Sequence, residues 1–214
     1  TGVQTCALPI FKRIRQESVD SFKLLKRYRE FLKFCVCGLF YQAGIAVVIT
    51  LSAVYAQLVM KFTTAQTITL ILVVNITAAI GAFVFGYVQD RLGHKKTLAL
   101  TILLWIIMGV MAAFSHGPVS FWIAANIAGI AMGSSQSAGR AVVAVFAPAG
   151  ELAQFYSAWN VAVWGANVLG PITYGTVTWL TSGDQRTAIL VTTLFFVIGL
   201  LILRRVHLPS KTVC

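Results

Sequence analysis

Apolar residues fill this chain in long unbroken runs, and polar residues gather in the short gaps between them. Crossing about 30 Å of hydrocarbon at about 1.5 Å per residue takes roughly 20 apolar residues in a helix. Six runs meet or approach that length: 34–59, 65–88, 97–114, 119–145, 155–180 and 187–203. The pattern predicts an all-α membrane protein whose six transmembrane helices form one bundle over 34–205. The links at 60–64, 89–96, 115–118, 146–154 and 181–186 are short enough to join antiparallel neighbours, and 206–214 reads as a tail.

Ahead of the first run, residues 11–33 are basic. Phe22, Leu25, Tyr28 and Leu32 recur there at helical spacing, with Ser18 or Asp20 as cap. A membrane-surface helix and a solvated linker both fit. Residues 1–10, TGVQTCALPI, lack an initiator Met and the basic start of a signal peptide. They read as the translation of a sequencing-library adapter, with a natural loop as the alternative, so the chain is expected to begin inside a longer protein.

Composition narrows the class. The chain is 58% apolar and 11% charged, against about 25% charged in soluble domains, which excludes soluble globular and disordered readings. The net charge of +11 lies at segment ends, with eight cations between Lys12 and Lys33. Anionic lipid headgroups account for that placement. No aromatic-basic platform or zinc spacing accompanies it, so no nucleic-acid partner is expected. With the N-terminus in the cytoplasm, fifteen cations fall inside and only Lys61 and Arg186 outside, so both termini are expected to be cytoplasmic. Cys35 and Cys37 point to different sides of one helix and form no disulfide framework.

Side-chain amides are costly in lipid unless they face a partner or water. Gln42 and Gln57 lie in the first run, Asn75 in the second with Gln66 at its outer end, Asn126 and Gln136 in the fourth, and Asn160 and Asn167 in the fifth; the third and sixth have none. In the fourth run Asn126, Gly129, Gly133, Gln136 or Ser137, and Arg140 share a face, where the glycines fit either close helix packing or a wet border. In the fifth, Tyr156, Asn160, Trp164, Asn167, Pro171 and Tyr174 form one stripe. Its asparagines fit interhelical hydrogen bonding or a cavity wall equally. Gly170 and Pro171 mark a candidate hinge. In the first run Tyr41 and Ser52 share a face with Val48 and Tyr55.

The link at 89–96 carries more than positive charge. Gly86, Asp90, Arg91, Gly93 and Lys95 combine close-approach and turn glycines with a carboxylate able to meet a cation or a helix N-terminus. This GxxxDRxGxKK pattern resembles the loop signature of the major facilitator superfamily. The stretch Gly133–Pro148, followed by Glu151, Phe155, Trp159 and LGPITYG at 169–175, is similar to the C-terminal half of the bacterial branch related to fungal autophagy-linked vacuolar amino-acid effluxers. Trp164 stands where members of that branch often carry Lys.

The resemblance implies one six-helix half of a secondary transporter in a bacterial inner (plasma) membrane, moving a small solute, amino acids among the candidates, by alternating access. It implies a missing N-terminal half as partner, beside the small-molecule substrate and the lipid bilayer. Expected cavity residues are Tyr41, Ser52, Asn126, Gln136, Asn160, Trp164 and Asn167. Gly86, Asp90, Arg91, Gly93, Lys95 and Arg140 form the expected gate and loop group, in which Asp90 and Arg140 pair in one state. No catalytic residues, cofactor or metal are expected: His94 and His116 fall on opposite sides and His207 in the tail, so no nucleophile-base pair or ligand set forms. The competing reading is a six-helix scaffold or channel acting as a homo-oligomer.

Overall fold

The computed structural model describes residues 28–115 and 117–209, which form six helices: α1 (Arg29–Leu58), α2 (Thr64–Leu92), α3 (His94–Ala113), α4 (Pro118–Phe146), α5 (Leu152–Leu180) and α6 (Gln185–Arg204). The adapter-like start, most of the basic segment, His116 and the end of the tail lie outside the described residues. Only α1, α2, α3 and α6 are apolar enough to cross a membrane by length and composition alone. α4 and α5 are just as long but carry the Gly, Ser and Asn residues that lower their mean hydropathy.

Local chemistry sets the ends. Thr63 and Gln66 make a reciprocal capping box at the start of α2, so Gln66 serves a helix end. Pro118 opens α4, where its missing N–H costs nothing. Asp184 caps α6 by accepting the Arg186 N–H at 3.0 Å. The expected loop at 89–96 is instead a single residue. α2 continues through Asp90 and Arg91 to Leu92, α3 starts at His94, and Gly93 alone turns the chain, at φ 82°. Its N–H closes α2 on Gln89 while its carbonyl accepts from Thr97 in α3. Only glycine takes that backbone region without strain.

Helix pairing has an internal twofold character. α1 packs on α5 and α6, α4 packs on α2 and α3, and α3 packs on α6; exchanging α1–α3 with α4–α6 maps this set onto itself. α1 and α4 barely touch. Lipid supplies no hydrophobic drive between helices, so close backbone approach at small residues does the holding. A Cβ on Gly133 would lie 1.9 Å from the Ala78 carbonyl oxygen, and one on Gly129 would lie 2.6 Å from that of Val74. These two glycines therefore seat α4 on α2, which settles their role as packing.

The end of the bundle where α1 begins carries most of the basic residues and is welded by aromatics. Phe34 stacks on Trp159 at 4.9 Å, and Phe31 contacts both Phe155 and Phe146. Trp159 lies in a notch at Gly38, where a Cβ would come within 2.2 Å of its ring. At this basic end Lys95 donates to the carbonyls of Arg204 and Val206, at 3.1 and 2.6 Å. It thus satisfies the open C-terminus of α6.

Candidate functional site

Toward the opposite end the seam between α1 and α4 opens into a crevice of about 260 Å³. Two aromatic pairs bracket it. Tyr55 stacks on Phe121 at 5.6 Å, and Trp105 stacks on Phe196 at 5.3 Å, nearly parallel. Each pair is fixed by a polar tip: the Tyr55 hydroxyl donates to the Ala112 carbonyl at 2.9 Å, and the Trp105 indole N–H donates to Ser135 Oγ at 3.3 Å. Between the pairs the walls are small, with Ala124, Ala125 and Ala128 on α4 facing Gly109 and Ala112 on α3. Small side chains leave the volume, and the stacked rings keep it from closing. Ser52 and Ile49 on α1 and Ile71 and Asn75 on α2 also line the crevice, and Ile49, Ile71 and Asn75 are exposed, so they mark its mouth.

The expected cavity residues do not converge on this crevice. Ser52 lines it. Tyr41 does not: it is fully buried, its hydroxyl has no hydrogen-bond partner among the described residues and lies against Gly139, and its Cβ sits beside Gly199. Tyr41 fills the space those glycines leave, so the face it shares with Ser52 is helix contact at one end and crevice at the other. Asn126 is half-buried and donates to the Trp122 carbonyl of its own helix at 2.8 Å. Gln136 is half-buried on the same flank, which α2 covers through Gly129 and Gly133.

Asn160, Trp164 and Asn167 are all exposed, Trp164 at 68%. They lie to one side of the stripe of α5 that packs on α1 (Phe155, Trp159, Ala166, Gly170), and the exposed Val161, Leu169 and Ile172 lie to the other. α5 therefore presents a broad free arc, with amides along one side and mainly apolar residues, Thr176 among them, along the other. Gly170 packs on the Ala43 carbonyl of α1, where a Cβ would come within 2.2 Å. Pro171 sits within an unbroken helix.

The gate group is also distributed. Asp90, Arg91 and Arg140 are exposed, and no ion pair joins Asp90 to Arg140 among the described residues. The Arg140 carbonyl accepts from the Tyr156 hydroxyl at 2.9 Å. Gly86, read as a close-approach site, has open space where a Cβ would stand, with no described residue within 4 Å. Lys95 is a helix cap, as described above. The sequence reading placed Tyr55 on the face of Ser52 without marking it as a crevice residue, and it missed Trp105 and Phe121, because aromatic residues in apolar runs carry little positional signal. The small residues Ala124, Ala125 and Ala128 were one available hint.

The paired three-helix units and the α1–α4 seam are the architecture of one half of a major facilitator transporter. Two solved structures from Escherichia coli share it. The fucose:proton symporter FucP superposes with a TM-score of 0.74 at 18% identity, covering 88% of this chain and 45% of that one. The inward-open xylose transporter XylE gives 0.69 at 19%, covering 83% and 47%. By sequence the chain belongs to the family described as "Vacuole effluxer Atg22 like", whose profile matches residues 10–213. It is 27% identical over 202 residues to the Bacillus subtilis protein described as the uncharacterized MFS-type transporter YxiO, covering 94% of this chain and 45% of the relative. The chain thus spans about half the length of that relative. It is an integral, multi-pass membrane protein of a transporter family.

Proposed function

We propose that these six helices are the C-terminal half of an alternating-access transporter for a small solute in a bacterial plasma membrane, with both termini cytoplasmic. A second six-helix half, N-terminal to this one, covers the side on which α1, α2, α4 and α5 present their free faces. The carrying observation is the separation of faces on α5: Asn160, Trp164 and Asn167 on one exposed side, Val161, Leu169 and Ile172 on the other. Lipid on both sides explains only the apolar one, because an amide in hydrocarbon is costly. A wet cavity shared with a second bundle explains both.

Asn160 and Asn167 and the crevice residues Ser52 and Asn75 contact substrate in this reading. Asp90 and Arg140, on exposed helix ends, engage the second half in one state and release it in the other. No Asp, Glu or His lies mid-span in this half, so any proton-coupling carboxylate belongs to the other. Amino acids are the substrate class that the resemblance to vacuolar amino-acid effluxers suggests, with sugars and other small solutes as alternatives. Transport of an amino-acid panel by proteoliposomes that hold the complete protein, both halves together, tests this. Asn160→Ala and Asn167→Ala are expected to lower flux at least several-fold at equal incorporation. Unchanged flux in both variants overturns the site assignment, and no saturable flux of any small solute overturns the transport reading.

A further inference from the structure

The crevice is larger and drier than a helix seam needs. Its polar wall atoms are already spent: Thr192 and Thr193 donate to the carbonyls of Ala188 and Ile189 in their own helix, and the Tyr55 and Trp105 tips are bonded as described. What remains facing the void is hydrocarbon and ring edge. A water needs two to four polar partners, which these walls do not supply, and a dry cavity of about 150 Å³ already takes benzene. At about 260 Å³ this one has room for an aryl ring or a branched aliphatic group. Only the mouth is polar. Asn75 spends one amide hydrogen on the Ile71 carbonyl at 2.8 Å, which leaves it a further donor and its carbonyl oxygen. Ser52 stands across the opening on α1.

We propose that the α1–α4 crevice is a subsite for the hydrocarbon group, aliphatic or aryl, of a small amphiphilic solute whose polar end stays at the mouth beside Ser52 and Asn75. The solute's passage rests on the transport reading; the pocket's occupancy does not. Ala125, Ala128 and Met132 border the room available, and the fully buried Trp105–Phe196 stack lies behind that wall. The pocket selects by shape and by exclusion of charge, because no ionised side chain lines it among the described residues.

Trp105, buried behind the crevice wall, is a built-in reporter, since a bromine lodged in the crevice comes near enough to quench its indole fluorescence. The purified protein in phosphatidylcholine nanodiscs is titrated with para-bromobenzyl alcohol, and the Trp105 component is isolated as the difference from a Trp105→Phe protein. Saturable quenching is expected. Ala125→Leu and Ala128→Leu, each adding three carbons to the wall, are expected to raise the half-saturating concentration about tenfold or more. Quenching that rises linearly without saturation, or that neither leucine alters, overturns the proposal. Strong quenching by phosphatidylcholine brominated on its acyl chains, without the alcohol, also overturns it and assigns the pocket to lipid. Saturable binding in a complete protein, both halves together, that moves no solute refutes transport and keeps the pocket; transport without saturable quenching refutes the pocket alone.

Discussion

Glu30 shows how one exposed carboxylate fixes the basic end of the bundle. It precedes the apolar part of α1. One carboxylate oxygen accepts from Lys33 Nζ at 2.6 Å and the other from the His207 backbone N–H at 2.8 Å. These bonds, the Lys33 one foremost, hold its carboxyl down to about 2 from an ordinary 4.5. The carboxyl is depressed in the folded protein, so its contribution is complete above the ordinary value and is lost as pH falls through the window from 4.5 to about 2. Hydrogen exchange at the His207 amide is therefore expected to stay protected at neutral pH and to lose protection across that acid window. In Glu30→Gln, whose amide oxygen still accepts but carries no charge, protection is expected to be weaker at neutral pH and flat across the window. An acid-induced loss of equal size in both proteins contradicts this assignment. Lys95 makes the complementary point. In sequence it is one more cation in a basic run, and its place as a cap on α6 depends on carbonyls more than a hundred positions away, which no local pattern encodes.

At the scale of elements, lipid makes the helices legible, because every backbone group must be satisfied within its own segment and the apolar runs must be long. Where the helices end is a different matter. The polar residues Gln89 to Arg91 look like a loop by composition, yet they extend α2 past its apolar run, and the turn reduces to Gly93. α5 sharpens the distinction between packing and mobility, since Gly170 and Pro171 read together as a hinge. Gly170 touches α1 backbone, so Gly170→Ala is expected to cost about 1–3 kcal/mol through overpacking and to lower the melting temperature. Pro171 lacks an N–H and leaves the Asn167 carbonyl without its helical donor, on the amide-bearing side of the helix. Pro171→Ala restores that bond and is expected to hold or raise the melting temperature while slowing transport. Full transport rate in Pro171→Ala removes Pro171 from any moving part, whatever Gly170→Ala does.

Across the whole molecule the amide pattern reveals which helices bear polar groups, but it does not distinguish which side of each helix they occupy. Asn126 and Gln136 lie on a flank that α2 covers, Tyr41 in a sealed contact, and Asn160 and Asn167 on an open face. Sequence spacing fixes which residues share a face, whereas the neighbour that covers the face comes from the twofold pairing of the two three-helix units. α3 and α6, the core of that pairing, expose apolar rows such as Leu103, Ile107 and Val110, and Leu194, Ile198 and Leu201, as lipid contact requires. Water access separates lipid-facing from cavity-facing sides directly. With the native cysteines replaced, Asn160→Cys and Asn167→Cys in the membrane-embedded protein are expected to react with a membrane-impermeant maleimide. Val161→Cys and Ile172→Cys, one residue or a little over one turn away on the apolar flank of the same helix, are expected to stay unmodified, because a thiol in hydrocarbon neither ionises nor meets the reagent. Equal labelling of both pairs would mean that α5 is wetted all round or not at all, and the second bundle would then have no cavity to share with this one.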